Sequence, residues 1–382
     1  LVTTIHSLGR EKFIGCHASY ALVKAGMRLP LAMLKYLAKR IALLFVTLIV
    51  AMYLTIIIAN AGGLIDNILK AQLRYEIASS LARAPGWSQL NEEEQRKIID
   101  ERLQAAIQAK GLDRPFLERT FRYLVDALTL NLGRALFITS ASGSKTVSDI
   151  IIERLPQTVL LFTTGTIFYS IIGLLIGLYM ARRPGGFFDK AFSVFAIVTQ
   201  VIPPWFFGIL FIMVFAYYLG VTPFGGMVSV PPPRDPLGYV LDIAYHMALP
   251  LFTWIFSLFG AWAYIARNLI VQIAEEDFVN TAKAKGLPEN MVMRRHVLRP
   301  SLPPIITVIS LSLIASWQGA IITETVFNWP GLGTLFYQAI NSLDAPVVIG
   351  LTVIYAYLLV ATVLILDLIY SILDPRIRSG RV

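Results

Sequence analysis

Cysteine is almost missing from this 382-residue chain, with Cys16 the only one. An internal disulfide and a cysteine-built metal site are thereby excluded. Histidine is scarce too. His6, His17, His246 and His296 are scattered without ligand spacing, so a metal-centred function finds no support. Charge is the third shortage: 15% of residues are charged, against about 25% in a soluble domain. No Ser/His/Asp arrangement, paired intramembrane carboxylates or His-Glu-x-x-His motif lies within an apolar run. Residues 143–146 read GSKT, which misses the phosphate-loop spacing by one residue and lacks the upstream glycine. That stretch reads as a polar loop, not as a nucleotide site.

What fills the chain instead is apolar sequence. Hydrophobic residues make up 56% of it and the mean hydropathy is +0.66. Six runs carry no charge at all: Ile41–Ile65, Leu155–Ala181, Ala191–Pro233, Met247–Ala266, Ile305–Thr323 and Ala345–Leu366. A membrane span needs about 20 apolar residues. The third run reads as one span over 191–219 followed by an uncharged, proline-rich loop. The expected fold is therefore all-α: a polytopic membrane protein with six transmembrane helices. Gly173 and Gly177 form a GxxxG in the second span and permit close helix packing.

The formal net charge of +9 follows from topology. With the N-terminus cytoplasmic, the cytoplasmic segments hold seven Lys/Arg before the first span, three in 182–190, six in 267–299 and three after 373. The two short outside loops hold one, Arg234, and none. This is a positive-inside pattern, and it makes a nucleic-acid partner the poorer account of the basicity. Both termini are expected in the cytoplasm, in a cell (inner) membrane.

Between the first two spans the character changes. Asp66–Arg154 holds 13 basic and 12 acidic residues and cannot lie in lipid. Residues 63–150 thus read as an extracytoplasmic helical insertion between the first span (33–62) and a core (151–382). Two helices are predicted inside it. One covers Leu64–Ala84 and ends before Pro85. The other has Asn91 as its N-cap with Glu94 completing a capping box, and runs to about Lys110 before Gly111. Residues 1–32 contain no long apolar run, and Met33 leads straight into the first span. Met33 is the expected physiological start, with 1–32 an extension. Glu324 and Asp367 sit near span ends, where snorkelling or interhelical hydrogen bonding is the ordinary reading.

The most telling segment is Glu275–Pro304, a basic, glycine-punctuated insert between two uncharged runs, inside the cytoplasmic loop 267–304. Ala274–Lys285 can form a short helix, Gly286 is a natural C′ residue, and Pro288 prevents continuation. A second helix can begin near Glu289. Physics alone leaves two readings for this helix–break–helix: an amphipathic loop lying on anionic lipid, or a docking element for a cytoplasmic partner.

The residues Asp277–Leu287, DFVNTAKAKGL, resemble the signature loop of binding-protein-dependent ABC transporter permeases. The likeness is to the dipeptide/oligopeptide/nickel branch, whose pattern is D-Y-V-R-T-A-R-A-K-G-L followed by His-x-Leu-Arg, here His296–Arg299. Phe327–Gly333 resembles that family's F-x-x-P-G-L-G turn, Asp374–Arg378 its D-P-R-x-R terminus, and Ile152–Pro156 its I-x-x-R-L-P element. Pro300 and Ser301 depart from the usual Asn-Ala.

The resemblance implies the permease subunit of an ATP-driven importer. Its solute is a peptide or a related compound such as an oligosaccharide. The partners implied are a second homologous permease, two cytoplasmic ATPases, an extracytoplasmic solute-binding protein and membrane lipid. The chain itself is then no enzyme and binds no cofactor; ATP and magnesium belong to the ATPases. Asp277, Phe278, Ala282, Lys283, Ala284, Lys285, Gly286 and Leu287 become the coupling helix, with Phe278, Ala282 and Leu287 packing into an ATPase groove. Asn328, Trp329, Pro330, Gly331, Leu332 and Gly333 form an outside turn that either faces the pathway or only packs. The insertion becomes a candidate docking surface for the binding protein. The alternative class is a self-sufficient secondary carrier or a membrane-embedded enzyme, which would need ionisable pairs or inverted repeats in the spans.

Overall fold

The computed structural model describes residues 31–61, 64–109 and 111–373. The expectation about Met33 as the start turns on residues 1–30, and the D-P-R-x-R likeness on 374–378; both lie outside the described residues. Among those described there is no named strand, only an isolated bridge between Arg134 and Thr146. The helices are α1 (Leu31–Ala61), α2 (Leu64–Leu81), α3 (Glu92–Ala109), α4 (Phe116–Leu128), α5 (Val147–Ala181), α6 (Phe187–Val201) and α7 (Pro204–Phe211, continued as a π-turn to Tyr218). They continue with α8 (Pro236–Ala274), α9 (Asp277–Ala284), α10 (Glu289–Met291), α11 (Arg299–Ala315), α12 (Ile321–Val326), α13 (Leu332–Asn341) and α14 (Ala345–Leu373). A π-turn, Val292–Leu298, joins α10 to α11.

Among the described residues, five helices or helix runs are long and apolar enough to cross a membrane: those containing α1, α5, α8, α10–α11 and α14. A sixth crossing exists if the pair α6 and α7 is one span, but this pair is bent by 93°. The span expected over 191–219 corresponds to this bent pair, with a break in its middle. The cause is Pro203-Pro204. A residue before proline is pushed out of the α region, and Ile202 sits at ψ 122° and Pro203 at ψ 144°. Pro204 then opens α7 at a position where its missing N–H costs nothing.

The spine of the bundle is α5 against α8. Small residues on α5 let the two backbones close. A Cβ on Gly173 would lie 2.6 Å from Trp262 Cδ1, and one on Gly177 would lie 2.6 Å from Ala263 O. The indole of Trp262 donates to Ser170 O at 2.8 Å across the same contact. The GxxxG is thus used for packing. Helices α1 and α14 lie together, tied by an ion pair between Arg40 and Asp367, so Asp367 is an interhelical partner.

The helices expected in the insertion form. The Asn91 capping box closes in both directions, Glu94 N–H to Asn91 Oδ1 at 2.8 Å and Asn91 N–H to Glu94 Oε2 at 3.1 Å. A third helix there, α4, was not expected.

Candidate functional site

Two motif-bearing regions sit at opposite ends of the spans. The first is the hairpin α9–α10. Asp277 stands in the first turn of α9 and Lys283 in the last, each matched to the helix dipole. The helix ends in a Schellman turn: Gly286 N–H donates to Lys283 O at 2.9 Å and Leu287 N–H to Ala282 O at 3.5 Å. Gly286 takes φ +73°, a left-handed value that a side chain disfavours. A Cβ there would meet nothing within 4 Å, so backbone conformation and not space selects this glycine.

Two side chains clamp α9 to the bundle. Val279 and Ala282 are buried with Ala181, Ile270, Val292, Val297 and Ile305, which belong to the ends of α5 and α8, the π-turn after α10 and the start of α11. Leu287 packs against the same cluster. The expected outward set is corrected here. Ala282 is 4% exposed and faces its own chain, and so does Leu287, while Phe278 remains 46% exposed. At about 100° per residue, Val279 and Ala282 mark the inward sector and Phe278 stands at its edge. Asp277, Phe278, Asn280, Thr281, Lys283, Ala284 and Lys285 are exposed. Their face of α9 is held in place and left open.

Close by, Arg267 at the far end of α8 grips Asp189 at the start of α6 with two bonds, Nη2 to Oδ2 at 2.7 Å and Nε to Oδ1 at 3.0 Å. Gly185 N–H donates to the same carboxylate at 2.8 Å. This fork joins the 182–186 turn to the helix that leads into α9. Sequence reasoning missed it, because the partners lie 78 residues apart with no local signal.

The second region is the turn Asn328–Gly333 between α12 and α13. Only Asn328 of the six is exposed; Pro330 is half-buried and the other four are buried. Its centre is the fully buried Glu324. That carboxylate accepts from Gly333 N–H at 2.7 Å, Thr334 N–H at 3.0 Å and Thr158 Oγ1–H at 2.8 Å. It thereby caps the N-terminus of α13 from a neighbouring helix, where two backbone donors would otherwise be orphaned. Thr158 in turn accepts from Leu332 N–H at 2.7 Å, and the Trp329 indole donates to Gln157 O at 2.9 Å. The turn packs against α5, with Asn328 left exposed at its edge. Glu324 is an internal cap and does not snorkel.

No group of three or more potential metal ligands occurs among the described residues. An exposed helix face fixed to the bundle can transmit force to the spans, and the buried turn ties α12 and α13 to α5.

Comparison with known proteins agrees with the motifs. The family described as binding-protein-dependent transport system inner membrane component matches residues 173–379. The oligopeptide transport system permease protein AppB of Bacillus subtilis is 32% identical over 271 residues, covering 71% of this chain and 83% of that protein. The di/tripeptide transport system permease protein DppB of Pseudomonas aeruginosa is 30% identical over 301 residues, covering 75% and 88%. Among solved structures, a chain of the inward-facing MetNI methionine ABC transporter aligns at a TM-score of 0.42 and 18% identity, covering 62% of this chain and 99% of that one.

Proposed function

We infer the role of this chain from one premise: it belongs to the binding-protein-dependent transport system inner membrane components. It is the multi-pass permease subunit of an ABC importer, and a self-sufficient carrier or membrane enzyme is not favoured. Peptides are the proposed cargo, because the relatives above are named as peptide permeases. The proposed assembly holds a second related permease, two ATPases that carry ATP and magnesium, and an extracytoplasmic binding protein that delivers the solute. In the inner membrane, the Lys/Arg distribution supports both termini and the α9 hairpin on the cytoplasmic side, with 63–150 outside.

We propose α9 as the coupling helix. The observation that carries this reading is the clamp at Val279 and Ala282, which leaves Phe278, Thr281 and Lys285 exposed. A groove on an ATPase would receive that face. Closure of the ATPase pair on ATP would then displace α9, and its anchors would pass the movement to α5, α8 and α11. The Asp189–Arg267 fork would add α6.

Peptide uptake into proteoliposomes holding the whole transporter, with binding protein supplied outside, tests the assignment. Gly286→Asp is expected to insert normally and to lose uptake. Wild-type uptake by that variant would remove the coupling role. Cargo is tested separately, by thermal shift of the cognate binding protein with dipeptides, longer peptides, oligosaccharides and nickel complexes. Stabilisation by oligosaccharide alone would reassign the solute.

A further inference from the structure

The unexpected helix α4 presents two apolar faces. One is turned inward: Leu124 and Ala127 are buried in a cluster with Leu48, Met52 and Ile56 of α1 and Val353 of α14. The other points away from the protein. Leu117, Phe121 and Val125, at i, i+4 and i+8, are 67%, 63% and 43% exposed. These three share one side of a helix. The polar residues take the remaining sector. Glu118 and Arg122 are exposed just beyond the apolar stripe. Arg119, on the opposite side, pairs with the buried Asp66 of α2.

The depth of α4 is fixed by its neighbours. The Tyr357 hydroxyl donates to Leu128 O at 2.9 Å. Tyr357 lies twelve residues past the start of α14, roughly 18 Å along that span at about 1.5 Å per residue. A Cβ on Gly350, also well inside α14, would stand 3.5 Å from Leu132 Cδ1 in the segment that follows α4. The C-terminal end of α4 therefore sits beside the spans and not above them. The α1 helix on which α4 packs itself presents Val46, Val50, Leu54 and Ile58, all at least half exposed. Such a face on a membrane-spanning helix is covered by lipid or by protein.

We propose that α4 is an interfacial helix whose Leu117–Phe121–Val125 face is covered by phospholipid acyl chains. Glu118 and Arg122 stand at the headgroup level. The pattern has the features of helices that lie in the membrane plane: an apolar sector, a charged sector beside it, and a stripe bordering hydrocarbon. The insertion is then seated in one leaflet through α4, while α3, with its exposed Glu92, Glu93 and Arg96, projects into water. This inference rests on the membrane topology and not on the identity of the cargo.

Site-directed spin labelling of the whole transporter in nanodiscs tests it. Cys16→Ser clears the chain of cysteine, and the other subunits are prepared without reactive cysteines. Labels are placed at 121 by Phe121→Cys, at 50 by Val50→Cys and at 96 by Arg96→Cys. The label at 121 is expected to collide with oxygen, which partitions into lipid, as often as the label at 50 does. It should collide with a water-soluble nickel chelate far less often than the label at 96. Frequent nickel collisions at 121 would show a water-exposed surface and overturn the proposal. Low collision with both reagents would put a protein partner on the face and overturn it equally. Leu117→Cys and Val125→Cys repeat the measurement should the label at 121 disturb folding.

Discussion

At the α9 hairpin two side chains, Val279 and Ala282, hold a helix whose remaining surface is open. At the α12–α13 turn the reverse holds, with only Asn328 of six motif residues exposed and a buried carboxylate at the centre. Both regions carry glycines within recognisable sequence, and the glycines are there for different reasons. Gly286 supplies a left-handed backbone and has free space around it. Gly331 has an ordinary φ of −98° and no space at all. A Cβ on it would stand 2.4 Å from Thr158 Oγ1 and 2.5 Å from Glu324 Oε2. Equal recognisability of two motifs therefore does not mean equal function: one marks a surface and the other a packing constraint.

The sharpest way to break this contrast is alanine at both glycines. Gly331→Ala must push apart the Thr158–Glu324 pair or the backbone, so it should cost about 3 kcal/mol, the upper end for overpacked sites. Loss of folded protein, read by thermal unfolding in detergent, is the measurement. A stable Gly331→Ala protein would mean that the turn is not packed as described. Glu324→Ala should cost at least as much. It strands two buried backbone N–H groups and the Thr158 hydroxyl, and each unsatisfied group costs about 1–3 kcal/mol. Glu324→Gln keeps one acceptor oxygen and should lose less. Equal losses for the two variants would show that the oxygens do not act as the cap.

Gly286→Ala comes third. It should cost about 1 kcal/mol, since the penalty is conformational alone. The protein should fold and the loss should appear as weakened coupling, read as peptide uptake per ATP hydrolysed. A Gly286→Ala variant as unstable as Gly331→Ala would erase the distinction between the two glycines.

How far these features were legible in the sequence follows from how local their causes are. The Gly286 turn could be read directly, because its bonds link residues three and five apart. So could the Asn91–Glu94 box. The sense of Phe278 against Ala282 could not. Both are apolar and four apart, and only the position of the α8 end decides which side is inward. The 93° bend was hidden by treating an uncharged run as one object, although Pro203-Pro204 held the signal. Helix α4 was obscured by its own charges, which interrupt the apolar run but occupy a separate sector of the helix. The cap at Glu324 and the Asp189–Arg267 fork join residues far apart in sequence, so nothing local announces them.

The smallest expected effect on stability belongs to Phe278→Ala, and it separates surface from mount most cleanly. Phe278 is half exposed and lies beside Val279, which is fully buried. If α9 is a docking face on a rigid clamp, trimming Phe278 should change stability by no more than about 0.5 kcal/mol, as for an ordinary surface position. Uptake should nevertheless fall, since an exposed aromatic is the kind of anchor that fills a partner's pocket. Val279→Ala should do the opposite: stability drops because a cavity opens, while the docking face keeps its chemistry. Unfolding midpoints and uptake measured on both variants decide the matter. Were the two neighbours to behave alike, α9 would be a packing element like the turn at Gly331, and the search for the coupling surface would move to the exposed part of the 182–186 turn.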